Sequence, residues 1–294
     1  MIRNDTMSVF EKETYLKQYA LYDLSSLHHS EFIATDYGEI FKQSFIQSES
    51  KGTIFLVHGY LDHSGSLSHL IRFLVSNSFS VITFDLPGHG NSYGPRGDIG
   101  GFDEYVHALN CVISASIEPM DNRKYFIIGH STGCSIITEY LIHHPPLFEK
   151  VILVAPLIKP YLWSFSRIGV KLLGNRLKSI KRKYRKNASN KNYLDFVKND
   201  PLQFDTLPTN WIVSLSKWHE KAFQYPIQSK RLHLIQGNKD TTVDWRFNIS
   251  FLLDLFPDSK AILIDGGNHQ LFNEAEEIRS ICYNCLKSIL LSKS

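Results

Sequence analysis

Apolar residues along this chain gather in short unbroken runs rather than in polar–apolar alternation. The clearest are Thr53-Ile54-Phe55-Leu56-Val57, Val151-Ile152-Leu153-Val154, Arg231-Leu232-His233-Leu234-Ile235 and Ala261-Ile262-Leu263-Ile264, with others near 80–84 and 124–128. Such runs belong to strands covered on both faces, because a sheet sandwiched between helices leaves no side for water. Helical patterns fill the intervals, so the pattern predicts an α/β fold: a mostly parallel central sheet with helices on both faces. Residues about 31 to 50 read as an antiparallel pair ahead of it. The rhythm breaks between the strands at 151 and 231, where a few residues would suffice and 159–228 intervene, about seventy in all. A connection that long is expected to be a structure of its own. The predicted organisation is one domain made of 1–158 and 229–294, carrying an inserted lid at 159–228.

Candidate chemistry lies at the carboxyl ends of these runs. Tyr125-Phe126-Ile127-Ile128 leads into Gly129-His130-Ser131-Thr132-Gly133 and then a helix-compatible stretch. A Gly-x-Ser-x-Gly between strand and helix is the pattern of a nucleophile elbow, whose strained turn leaves no room for side chains two residues before and after the serine. Ser131 is therefore the candidate nucleophile of an esterase-type hydrolase. The strand at 231 ends in Gln236-Gly237-Asn238-Lys239-Asp240, and the strand at 261 in Asp265-Gly266-Gly267-Asn268-His269. Serine, acid and histidine follow one another in the order such hydrolases use. His269 is expected to take the Ser131 proton and return it to the leaving group, and Asp240 to hold the imidazole in the required tautomer. Asp244 and Asp265 compete for the acid role; Asp240 is preferred because it directly follows a strand, and Asp265 is too near His269 in sequence to reach its far nitrogen. An oxyanion needs two backbone donors. Thr132, after the nucleophile, and Tyr60, after the run ending in His58-Gly59, are assigned these.

The match extends beyond these residues. His58-Gly59 with His63-Ser64-Gly65, Asp85-Leu86-Pro87-Gly88-His89-Gly90-Asn91-Ser92, Gly94-Pro95-Arg96-Gly97, Phe102-Asp103-Glu104-Tyr105, Asp200-Pro201-Leu202 and Gly266-Gly267-Asn268-His269 span roughly residues 30 to 290 together with the elbow. In these motifs the chain resembles the α/β-hydrolase family, and within it the monoacylglycerol lipase and lysophospholipase group related to serine aminopeptidases. The resemblance implies an inserted helical lid and a monoacyl lipid substrate, either lysophospholipid or monoacylglycerol. The segment where that group carries its lid is unusually basic here, so head group and acyl chain stay open.

Charge sharpens that point. The whole chain carries +3, but 159–228 holds 14 Lys or Arg against 4 Asp or Glu, or +10, leaving 18 against 25, or −7, elsewhere. Lys171 to Lys191 contains no acid and includes Lys178, Lys181, Arg182, Lys183, Arg185 and Lys186. A solvated surface explains such a run, and so does peripheral contact with an anionic membrane, where each cation contributes about 1 kcal/mol; nucleic acid is not the expected partner, because no nucleic-acid-binding fold accompanies the run. Aromatics crowd the same segment: Tyr161, Trp163, Phe165, Tyr184, Tyr193, Phe196, Phe204, Trp211, Trp218, Phe223 and Tyr225. Rings beside cations describe a surface for a single-chain amphiphile, although each ring taken alone is explained by packing.

Other features narrow the reading. Four cysteines are too few for a disulfide scaffold, and Cys282 and Cys285 fall in a helical pattern without a second pair, so they are read as structural. No secretory signal is read at Met1–Thr6 and no run reaches the ~20 apolar residues of a spanning helix, which makes a cytoplasmic protein with peripheral membrane contact the expectation. No cofactor and no metal is expected. His58, His89 and His130 are read as fixing tight turns, and His63 as shaping a flexible loop rather than touching substrate. A peptidase or acyltransferase using the same three residues, or a binding protein on this fold, are the alternatives.

Overall fold

The computed structural model describes residues 9–117, 122–161, 178–182 and 186–292. Its strands follow the apolar runs closely: β1 His28–Ala34, β2 Glu39–Phe45, β3 Thr53–Val57, β4 Ser80–Phe84, β5 Tyr125–His130, β6 Lys150–Val154, β7 Ser179–Lys181, β8 Thr206–Pro208, β9 Leu232–Gly237 and β10 Lys260–Ile264. Eight of them form one sheet in the order β1-β2-β4-β3-β5-β6-β9-β10. Only the β1–β2 and β2–β4 pairings are antiparallel; from β4 to β10 every neighbour runs parallel. The antiparallel pair starts and ends a few residues earlier than the 31–50 read from sequence.

The helices are α1 Val9–Gln18, α2 Ser68–Ser76, α3 Phe102–Ser114, α4 Thr132–His143, α5 Lys191–Asn199, α6 Thr209–Ala222, α7 Trp245–Leu255 and α8 Glu276–Leu291. They divide between the two faces. Leu109 and Val112 of α3, Ile136 and Ile137 of α4, Leu215 of α6 and Leu252 of α7 bury against Phe55, Ile127, Leu153 and Leu234 on one face. Leu16 of α1, Leu70 and Leu74 of α2 and Leu286 of α8 bury against Phe41, Ile54, Ile128 and Ile152 on the other. Successive strand residues therefore feed opposite cores, which is why the strands read as unbroken apolar runs.

This wiring positions the site. The chain leaves β3 to one side, into β4, and returns to the other, into β5, so the carboxyl ends of β3 and β5 lie side by side where the strand order reverses. Crevices at such a reversal are where open α/β sheets bind ligands. The stretch between β6 and β9 contains β7, β8, α5 and α6; β7 and β8 pair as a small antiparallel ribbon. Trp163, Phe165, Lys171, Lys183, Tyr184 and Arg185 lie outside the described residues. The described part of the stretch is joined to the body chiefly by α6. Trp218 stacks on Phe102 of α3, and Glu139 of α4, which is buried, accepts from Trp218 Nε1 at 2.9 Å, from Lys221 Nζ at 2.6 Å and from the Tyr225 hydroxyl.

Candidate active site

Ser131 caps the amino end of α4 with φ 51° and ψ −115°, a left-handed backbone that a residue with a Cβ adopts only under constraint. The constraint is the strand-to-helix turn itself: the Ser131 amide bonds Val154 O on β6, and its carbonyl accepts from Cys134 and Leu157. A Cβ at Gly133 would lie 2.2 Å from Val57 O, and one at Gly129 would lie 2.6 Å from Ile137 Cδ1. Both glycines are thus required by close approach, as the motif implied.

His269 and Asp240 meet this serine from the ends of β10 and β9. His269 Nε2 is 2.9 Å from Ser131 Oγ, and His269 Nδ1 is 2.7 Å from Asp240 Oδ2; all three residues are buried. A carboxylate only accepts, so Nδ1 carries the proton and Nε2 is left to accept from the serine hydroxyl. Asp240 is held in turn: Oδ1 accepts from the amides of Thr242 at 2.7 Å and Val243 at 3.2 Å, and Oδ2 also from Gln236 Nε2 at 3.1 Å. Burial pushes the Asp240 carboxyl up, but the neighbouring His269 and these donors outweigh it and hold it below the ordinary value, so it is ionised at neutral pH. The rival acids are engaged elsewhere. Asp244 caps α7 through Phe247 N and pairs with Lys159, and exposed Asp265 accepts from Asn238 Nδ2.

The two backbone donors assigned from sequence flank the serine. Thr132 is the first residue of α4, where an amide has no intrahelical acceptor. On the other side, a Cβ on Gly59 would be 3.0 Å from Ser131 Cβ, so the backbone after β3 runs directly against the nucleophile and brings the Tyr60 peptide beside it. Asp62 N bonds Gly59 O across this turn, and Leu61 takes φ 68°. The Tyr60 ring stacks on Trp211 of α6 with centroids 3.8 Å apart, and its hydroxyl donates to Gly97 O.

The remaining histidines hold turns. His58 Nδ1 donates to Gly59 O while Nε2 accepts from Leu86 N; His89 Nδ1 donates to Pro87 O; His130 Nε2 donates to the His269 carbonyl at 3.0 Å. Burial, and then the neighbouring His269, push His130 down to about 4, so it is neutral at pH 7. His63 differs from the flexible-loop reading. It is fully buried, donates from Nε2 to Asp200 Oδ2 at 2.7 Å and accepts Gly65 N on Nδ1, while Tyr19 OH of α1 donates to the other Asp200 oxygen.

Sequence reasoning missed several supports that no motif marks. Asp62 accepts from Gln270 Nε2 at 3.1 Å and lies 3.5 Å from Tyr193 OH. Glu274 accepts from Asn268 and from Ser189, and Gln270 N bonds Asn187 O, which ties the His269 loop to the inserted stretch. Gln236, one strand position before Gly237, was readable only as part of an apolar run's end. A cavity of about 630 Å³ between α1, α2, α5 and α8, with Arg72, Tyr193 and Arg279 in its wall, is lined by none of Ser131, Asp240 and His269. Among the described residues no cluster of three or more His, Cys, Asp or Glu has the arrangement of a metal site, and Cys282 and Cys285 lie on α8 with Cys282 in the core.

A family model described as serine aminopeptidase, S33, matches residues 48–276. The chain belongs to this family. A monoacylglycerol lipase of Mycolicibacterium smegmatis is 24% identical over 114 residues, 39% of this chain and 41% of that protein. A Bacillus subtilis phospholipase is 25% identical over 238 residues, 76% of this chain and 89% of that one. The chain spans less than half the length of most of the curated relatives it matches. A soluble variant of monoglyceride lipase from Saccharomyces cerevisiae superposes with a TM-score of 0.77 at 20% identity, covering 89% of this chain and 94% of the other. The fold is that of the α/β-hydrolases. No helix among the described residues is long and apolar enough to cross a membrane.

Proposed function

We propose that the protein is a serine ester hydrolase that cleaves the acyl ester of a monoacyl lipid, lysophospholipid or monoacylglycerol, through Ser131, His269 and Asp240. The observation that carries this reading is the hydrogen-bonded line Ser131 Oγ–His269 Nε2, 2.9 Å, and His269 Nδ1–Asp240, 2.7 Å. In the proposed cycle His269 takes the Ser131 proton as Oγ attacks the ester carbonyl, and the amides of Tyr60 and Thr132 bind the oxyanion. His269 then gives that proton to the departing alcohol, leaving an acyl-serine. Water, deprotonated by the same imidazole, releases the fatty acid, and Asp240 stabilises the imidazolium in both halves. No cofactor enters these steps.

Residues 159–228 are proposed as a lid. Supporting this, Trp211 lies on the Tyr60 ring, Tyr193 reaches Asp62, and Asn187 and Ser189 bond the His269 loop, so the segment touches the loops on both sides of Ser131. Its basic part is proposed to meet anionic lipid at a membrane surface. A peptidase is the second reading, favoured by the family's own description. A site for a substrate amino terminus calls for nearby carboxylates, whereas 159–228 carries 14 basic residues against 4 acidic.

The test is hydrolysis of a panel containing a long-chain monoacylglycerol, a lysophosphatidyl lipid, a short p-nitrophenyl ester and an aminoacyl amide, with Ser131→Ala in parallel. Serine-dependent release of fatty acid from a monoacyl lipid is expected, with kcat lower by several orders of magnitude in the variant. Serine-dependent cleavage of the amide alone would move the protein to the peptidases. Turnover retained in the variant would remove Ser131 from the mechanism.

A further inference from the structure

The two edges of the eight-stranded sheet are finished differently. At one edge β1 is guarded: Lys12 of α1 donates to His28 O, and Glu31, its only acidic side chain, pairs with Lys42 of β2. At the other, β10 pairs only with β9 among the described residues. Its sequence Lys260-Ala261-Ile262-Leu263-Ile264 carries no proline, bulge or inward charge, which are the usual devices that blunt an edge. Four successive residues, Lys260 to Leu263, are exposed, with Ile262 at 36% and Leu263 at 53%. Ile264 enters the α8-side core, so by the two-residue period Ile262 faces the α8 side as well, and Ala261 and Leu263 face the other. Ile281 of α8 adds a further apolar side chain, 48% exposed. A strand open along its outer edge and apolar on both faces is a template for another strand.

We infer that β10 pairs antiparallel with β10 of a second copy of this chain about a two-fold axis, joining the two sheets into one. The charges at its ends select that occupant. Lys260 opens the strand and Asp265 directly follows it, with nothing charged between. In the antiparallel register that sets Ile262 opposite the partner's Leu263, Lys260 of each chain lies opposite the partner's Asp265, so both ends of the seam pair unlike charges. Pairing two copies in parallel would instead set lysine beside lysine and aspartate beside aspartate. The Asp265 carboxylate has one oxygen engaged by Asn238, which leaves the other for the partner. A two-fold contact of this kind closes on itself and stops at a dimer.

The test is sedimentation velocity of the whole chain over a dilution series, with melting temperature recorded for each variant. Wild type is expected to dimerise. Lys260→Asp and Asp265→Lys each set like charges across the seam twice and should be monomeric where wild type is dimeric, each with its melting transition intact. Mixed in equal amounts they should reassociate, because the introduced aspartate of one variant then meets the introduced lysine of the other, and the native Asp265 of the first meets the native Lys260 of the second. Leu263→Lys, which changes one exposed side chain at the middle of the seam, should also dissociate the dimer and serves if either charge variant fails to fold. A wild type that stays monomeric at every concentration, a dimer indifferent to these variants, or single variants that do not reassociate on mixing would each overturn the proposal.

Discussion

Both oxygens of Asp240 are committed, one to two backbone amides and the other to His269 and Gln236. Asp240→Asn keeps the shape but offers Nδ1 of His269 an amide that can donate as readily as accept, so the imidazole is free to take the wrong tautomer. In serine hydrolases with this arrangement the loss is about 10⁴-fold in kcat. That magnitude is expected here, with little change in melting temperature, and steady-state kinetics on the best ester of the panel checks it. Gly133 behaves oppositely. Ala at this position puts a methyl 2.2 Å from Val57 O, a contact backbone on both sides cannot relieve, so Gly133→Ala should cost stability as well as activity, about 1–3 kcal/mol or more in urea denaturation. At this scale the motif residues were legible because steric demands repeat wherever a strand turns sharply into a helix. Asp62, Gln236 and Glu274 were not, since a polar residue that supports a loop looks in sequence like any polar residue beside one.

Among elements, the joint that most constrains the site is the buried pair His63–Asp200. It links the loop after β3 to the inserted stretch, and Tyr19 brings in α1. Burial opposes charge on His63, but Asp200, Asp85 and Asp62 raise it above its ordinary 6.5; burial likewise opposes charge on Asp200, yet His63 and its other donors keep it below 3.8. Stability from Asp200 is therefore present above 3.8 and lost as pH falls through its depressed folded value. Stability from His63 is complete below 6.5 and lost as pH rises through its raised folded value. The pair contributes most between those limits. Urea midpoints should fall from about pH 5.5 to about pH 9 in wild type. In Asp200→Asn that alkaline slope should flatten, with about 3–5 kcal/mol lost near pH 5.5. A second joint is Glu139 under Trp218, Lys221 and Tyr225. Glu139→Ala strands these donors and should lower the melting temperature by several degrees, at about 2–4 °C per kcal/mol. The eight sheet strands and the inserted stretch were legible because continuous apolar runs and an overlong connection leave few other solutions. Helix α1 was not read: its buried Tyr15, Leu16 and Tyr19 follow no strong stripe and gain their place only from the partners they meet.

For the molecule as a whole, the uneven charge separates two contributions to lipid hydrolysis that a single rate would merge. Chemistry at Ser131 depends on short contacts in a buried site, which salt hardly screens; attraction to an anionic surface depends on exposed cations, which salt screens strongly, the Debye length falling from about 10 Å at 0.1 M to about 3 Å at 1 M. Lys178, Lys181 and Lys186 are exposed, so they are free to face such a surface, whereas Arg182 is turned to Gln203 and Phe204. Lys178→Gln, Lys181→Gln and Lys186→Gln together should weaken binding to phosphatidylserine-containing vesicles by about 3 kcal/mol, roughly a hundredfold. Binding to purely phosphatidylcholine vesicles, and turnover of a monomeric p-nitrophenyl ester, should stay as in wild type. Raising salt should bring wild type toward the triple variant on anionic vesicles and leave the soluble ester untouched. Equal binding of wild type to neutral and anionic vesicles at low salt would instead make the basic run an ordinary solvated surface, and any lipid preference would then have to come from the apolar side chains around Ser131.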